Sequence, residues 1–162
     1  VQLIIAEQFD AIDWTAVPVD GHEAKLQSGS PEAREVALQS LFALTSMGNR
    51  SACDALIRFL KALPPPGTLD EVHFKVKLLQ RMDRETTQQE LVPHLVEELY
   101  RTPSNNTTRQ WITAIFRFLE SASLDLTEEP LERMLGEKRF SPRLKQKIKD
   151  ILYGPKWEWD RL

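Results

Sequence analysis

Apolar residues recur at helical spacing in three successive pairs of segments, each pair about 38–40 residues after the last. The anchors are Ala37 and Leu41 followed by Leu56, Phe59 and Leu60, then Val76 and Leu79 followed by Leu95 and Leu99. The third pair is Ile115 and Leu119 followed by Leu131 and Leu135. A repeat of this length marks a stack of helical hairpins, which builds an extended surface in place of a single deep pocket. No segment alternates with period two for long enough to read as a strand, so the pattern predicts an all-α chain.

Punctuation between the apolar runs places the helices. Residues 1–20 lack a clear period. Asp13-Trp14 is expected to start a brief turn, and Gly21 to Gln27 a short helix closed by Ser28-Gly29. Ser30-Pro31 supplies an N-cap and a first-turn proline, and the helix it opens ends at Gly48-Asn49. Its partner is expected over residues 51–63, with Ala52, Ala55, Leu56, Phe59, Leu60 and Leu63 inward, stopped by Pro64-Pro65-Pro66-Gly67. Thr68-x-x-Glu71 and Thr87-x-x-Glu90 both fit a capping box and predict helices near 69–83 and 88–101. Pro93 lies inside the second, where a bend or a later start is expected. A polar connector, Arg101 to Thr107, precedes a helix over residues 108–122 that buries Trp111, Ile112, Ile115, Phe116 and Leu119. Thr127-Glu128-Glu129-Pro130 is expected to start the next helix, ending at Gly136. Ser141-Pro142 starts the last, with Leu144, Ile148, Ile151 and Leu152 inward and Gly154-Pro155 at its end.

Ser30-Pro31-Glu32-Ala33-Arg34-Glu35-Val36-Ala37-Leu38-Gln39-Ser40-Leu41 resembles the first helix of a HEAT repeat, and Glu90-Leu91-Val92-Pro93-His94-Leu95 is similar to a second helix. The likeness covers about residues 22–153 and rests on small and aliphatic positions. It implies a right-handed solenoid of about three HEAT-like hairpins plus a terminal capping helix. The expected divisions are an N-terminal capping segment (1–20), the repeat domain (21–154) and an aromatic tail (155–162). Ile12-Asp13-Trp14 ahead of a repeat also looks like small bacterial HEAT-like proteins, some encoded beside toxins. The resemblance implies scaffolding or binding, and the transfer of any one member's partner is analogy.

Length and composition fit one ordinary globular domain: 162 residues, 41% hydrophobic and 28% charged. Cys53 is the single cysteine, so neither an internal disulfide nor a cysteine-rich metal site can form, and a reducing cytosol is the expected compartment. No run approaches the roughly 18–20 apolar residues of a membrane span. The chain opens on Val1, which fits a processed chain or a piece of a longer one; VQLIIAEQF has no basic leader. Asn105 and Asn106 sit in N-x-T triplets, which are frequent by chance.

Candidate chemistry is sparse. His22, His73 and His94 are far apart, with no H-E-x-x-H or C-x-x-C spacing, and read as surface or helix-end histidines. Asp70-Glu71 and Glu128-Glu129 fall in expected first turns, where negative charge suits the helix dipole, and Glu97-Glu98 reads as a solvated face. No histidine lies near Cys53 in sequence, and there is no phosphate-cradling glycine motif or nucleophile elbow. Neither catalysis, cofactor nor metal is expected.

Two binding readings follow. The first is a non-catalytic protein-binding module using ridge residues of the second helices, Arg58, Lys61, His94, Glu97, Glu98, Arg101 and Arg133. Trp157 and Trp159 would serve as aromatic anchors, or else fold back over the open end of the stack. In its sharper form this module is an immunity-type inhibitor of a basic toxin domain. The second reading is nucleic-acid binding through the C-terminal segment. Residues 137–156 hold seven basic side chains against Glu137 and Asp150, a balance of +5 that leaves about −8 elsewhere in a chain of net charge −3. Arg139, Arg143, Lys145, Lys147 and Lys149 are its candidate phosphate contacts; the polar outside of a capping helix is the simpler reading. HEAT-like DNA glycosylases imply a basic concave groove, for which this sequence offers one basic segment.

Overall fold

The computed structural model describes residues 12–154. Among them lie a short 3₁₀ turn at Trp14–Ala16 and eight α-helices, with no strand. The helices are α1 (Asp20–Leu26), α2 (Pro31–Ser46), α3 (Arg50–Ala62), α4 (Leu69–Arg81), α5 (Arg84–Arg101), α6 (Arg109–Ser121), α7 (Leu124–Leu135) and α8 (Pro142–Tyr153). None is long and apolar enough to cross a membrane. The chain divides into two compact units, Val1–Ala62 and Leu63–Leu162.

In the first unit α2 packs against both α1 and α3. Ser30 Oγ accepts Ala33 N–H at 3.3 Å, with Pro31 in the first turn. At the other end Gly48 takes φ +89°, which lets Gly48 N–H reach Thr45 O and Asn49 N–H reach Leu44 O, closing the last carbonyls. Asn49, 1% exposed, then joins three segments. Its Nδ2 donates to Trp14 O and to Val17 O, each at 2.9 Å, and its Oδ1 accepts Ala52 N–H at 3.0 Å to cap α3. Asn49→Ala removes the cap and leaves two carbonyls unpaired. It should lower stability by about 2 kcal/mol, read from the urea midpoint; a shift under about 0.5 kcal/mol would show that water replaces all three bonds.

In the second unit α4, α6 and α8 make one row of neighbours and α5 and α7 another; α6 packs on α5 and α8 on α7. Leu91, Leu95, Trp111, Ile115, Leu119, Leu131 and Ile148 are fully buried between them. Thr68 caps α4 as its capping box requires, its Oγ1 accepting Glu71 N–H at 3.2 Å. Several expectations change here. α5 begins at Arg84 and not near Thr87, because Asp83 Oδ2 accepts Thr86 N–H at 3.3 Å and caps the earlier start. Thr87 is buried inside the helix, its hydroxyl donating back to Asp83 O. Pro93, on the exposed side, lies within α5, which neither stops nor starts there. α7 likewise starts at Leu124, three residues before Thr127, and takes Pro130 inside. On α4 the inward stripe is Val72, Lys75, Leu78 and Leu79, with Val76 half-buried at its edge. On α8 only Ile148 of the four expected residues is fully buried.

Candidate functional site

A lysine on an apolar stripe must find a counter-charge, and Lys75 finds Glu98. The Lys75 side chain is 3% exposed and that of Glu98 1%, with Nζ 2.7 Å from Oε1. Lys75 Nζ also donates to Pro64 O at 3.1 Å and sits 4.7 Å from the Trp111 ring centre. The other carboxylate oxygen of Glu98 accepts from Thr102 Oγ1 at 3.3 Å and from Trp111 Nε1 at 3.4 Å. His94 Nε2 lies 3.5 Å from Glu98 Oε1. Burial pushes the Lys75 ammonium below the ordinary lysine range, against the opposing pull of the Glu98 hydrogen bond. The network binds α4, α5 and α6 to one another and fixes Thr102 at the start of the connector before α6.

That connector borders a run of open surface depressions. One, about 240 Å³, lies between Ser104–Asn106 and the first turns of α6 and α8, with Arg109, Arg143 and Lys147 in its lining. A second, about 230 Å³, continues along α4 and α6 past Gln80, Arg109, Thr113 and Arg117. The third, about 420 Å³, opens between the end of α5 and the start of α8, lined by Leu99–Ser104, Arg139, Phe140 and Leu144. The first shares Arg109 and Thr113 with the second, and Ser104 and Leu144 with the third, so the three form one strip.

Six cations line the strip (Arg101, Arg109, Arg117, Arg139, Arg143, Lys147) and no carboxylate does. Arg101 faces Glu97 loosely at 3.9 Å; among the described residues the other five form no ion pair. Arg139 donates to Tyr100 O at 2.6 Å and its guanidinium lies 5.2 Å from the Tyr100 ring centre. Burial lowers the pKa of Lys147, and the nearby charges of Arg143, Arg109 and Arg117 lower it further. Lys147 is therefore repelled by Arg143, Arg109 and Arg117, and no carboxylate in the lining offsets these four charges. The helix ends carry the same signature. α4, α5 and α7 have acidic residues in their first turns, whereas α6 and α8 have none and place Arg109 and Arg143 there, against the helix dipole.

The residues singled out from sequence scatter. Glu98, expected on a solvated ridge beside Glu97, is internal because Lys75 needs it. His94 is half-buried on the same network. Arg58 is exposed and held by a two-pronged pair with Glu23, at 2.8 and 2.9 Å, which lowers the Glu23 pKa. Lys61 is exposed, and Arg133 pairs with Glu129 at 2.9 Å. Trp157 and Trp159 lie outside the described residues. Of the basic candidates, Arg139, Arg143 and Lys147 line the strip, while Lys145 and Lys149 do not: two residues along a helix turn a side chain about 200° away. Arg109, Arg117 and Lys75 were missed. The signal for the first two was a polar face on α6 repeating Arg109, Thr113, Arg117 at four-residue steps. For Lys75 it was a lysine in an apolar row. Among the described residues no group of His, Cys, Asp or Glu could hold a metal ion.

Comparison of the chain with family models, curated proteins and solved structures gives no match.

Proposed function

We propose that this protein is a non-catalytic, HEAT-like helical module that binds nucleic acid by its phosphate backbone along the strip. The observation that supports this reading is six cations on contiguous depressions with no carboxylate among them. The alternation of α4, α6 and α8 with α5 and α7 in two rows supports the HEAT-like part. An overall charge of −3 does not weigh against it, because the field over a surface is set by its local charges.

Phosphate suits these cations better than the carboxylates of an acidic protein. Five of the six are arginines, whose planar fork matches phosphate oxygens two at a time. Arg143 and Lys147 are about 6 Å apart along α8, and Arg109 and Arg117 about 12 Å apart along α6. Such a series favours a polymer with one charge on every unit. Binding should weaken linearly on a log–log plot against salt, with a slope of about −3 to −4 if some five phosphates are neutralised on a single strand. Fluorescence anisotropy with a labelled oligonucleotide, titrated between 50 and 300 mM KCl, measures that slope. Absence of binding at 50 mM, or a slope near zero, would overturn the proposal.

A further inference from the structure

The three depressions differ in kind. All three present polar and apolar surface together, but the third alone gathers aromatic rings, Tyr100 and Phe140, beside Leu99, Pro103 and Leu144, with Arg101 and Arg139 at hand. Tyr100 and Phe140 meet edge to face at 5.0 Å between centroids, and the guanidinium of Arg139 lies over both rings, 5.2 and 5.7 Å from their centres. Its volume of about 420 Å³ exceeds either neighbour's, and like them it is open to solvent. A place for something flat and weakly polar thus adjoins a track for phosphates, joined through Ser104 and Leu144.

Building on the nucleic-acid reading, we infer that the strip takes a single strand, with an unpaired base seated in the α5–α8 depression against Tyr100, Pro103 and Arg139. A duplex keeps its bases stacked and paired, so it would engage the cations and leave the aromatic depression unused. A single strand can turn a base aside and gain stacking on aromatic or guanidinium planes as well as charge neutralisation. The sugar–phosphate links on one side of that base run toward Arg143, Lys147 and Arg109. DNA and RNA share this chemistry, and the 2′-hydroxyl is what would separate them.

The test changes the ligand and leaves the fold intact. The protein is titrated at 100 mM KCl with labelled 12-nucleotide strands of DNA and of RNA, with the matching duplexes, and with an abasic strand that keeps every phosphate. Intact single strands should bind at least about tenfold more tightly than the duplexes, and at least about fivefold more tightly than the abasic strand. Equal or tighter duplex binding, or an abasic strand as good as the intact one, would overturn the inference while leaving the nucleic-acid reading in place. Failure of all five ligands to bind would overturn both. Equal affinity for DNA and RNA assigns the contact to base and phosphate alone; a preference for RNA adds the 2′-hydroxyl to it.

Discussion

Replacing Lys75 by Met should cost about 3–5 kcal/mol of folding stability, far more than most single substitutions in this chain. The loss does not come from the methionine, which fits the apolar stripe of Val72, Leu78 and Leu79. It comes from Glu98, left 1% exposed with a full charge and only Thr102, Trp111 and half-buried His94 close by. The double variant Lys75→Met/Glu98→Gln should therefore recover at least half of the loss. The amide oxygen still accepts from Thr102 Oγ1 and Trp111 Nε1, while the unpaired charge is gone. Urea unfolding of wild type, both single variants and the double closes the cycle; independent, additive losses would show that the two charges do not depend on each other. The pH dependence has a definite sign. Because burial lowers the folded-state pKa of Lys75, the unfolded chain binds more protons in the alkaline window below about 10.4. Lys75 thus contributes stability that increases with pH across that window, and the difference between wild type and Lys75→Met isolates it.

This same pair marks the boundary of what the sequence reveals. Helix existence follows from local chemistry: Ser30-Pro31, Thr68 with Glu71, Ser141-Pro142, and Gly48 with its positive φ are each legible where they stand. The early starts of α5 and α7 were hidden because Asp83 and Ser123 competed with stronger-looking threonine and proline signals a few residues on. The buried ion pair joins residues 23 positions apart, and nothing local to Glu97-Glu98 says which glutamate turns inward. The strip was half visible. Basic residues on α8 stand out by density, but Arg109 and Arg117 belong to the same feature only because α6 packs beside α8. Density also misled, since Lys145 and Lys149 count equally in composition and line none of the depressions.

That distinction gives the second large effect. Arg109→Glu, Arg143→Glu and Lys147→Glu together should weaken oligonucleotide binding by about 100-fold or more at 100 mM KCl. Three phosphate contacts are lost and three repulsions are introduced at the centre of the strip. Folding should not suffer. Arg109 and Arg143 are exposed first-turn residues without a salt bridge among the described residues, and glutamate there complements the dipole that arginine opposes. Removing the positive charge at position 147 also ends its repulsion with Arg117. Thermal stability should hold or rise slightly while binding disappears, a combination that a merely structural role for these residues does not produce. The matched control is Lys138→Glu with Lys149→Glu, two exposed cations of the same segment outside the strip's lining. It changes net charge by four units to the triple variant's six, and should cost less than about fivefold in affinity. If the control weakens binding as much as the triple variant does, the chain responds to overall charge and the strip has no special role. If only the triple variant fails, the contact lies on the face where α6 and α8 bring Arg109, Arg143 and Lys147 together.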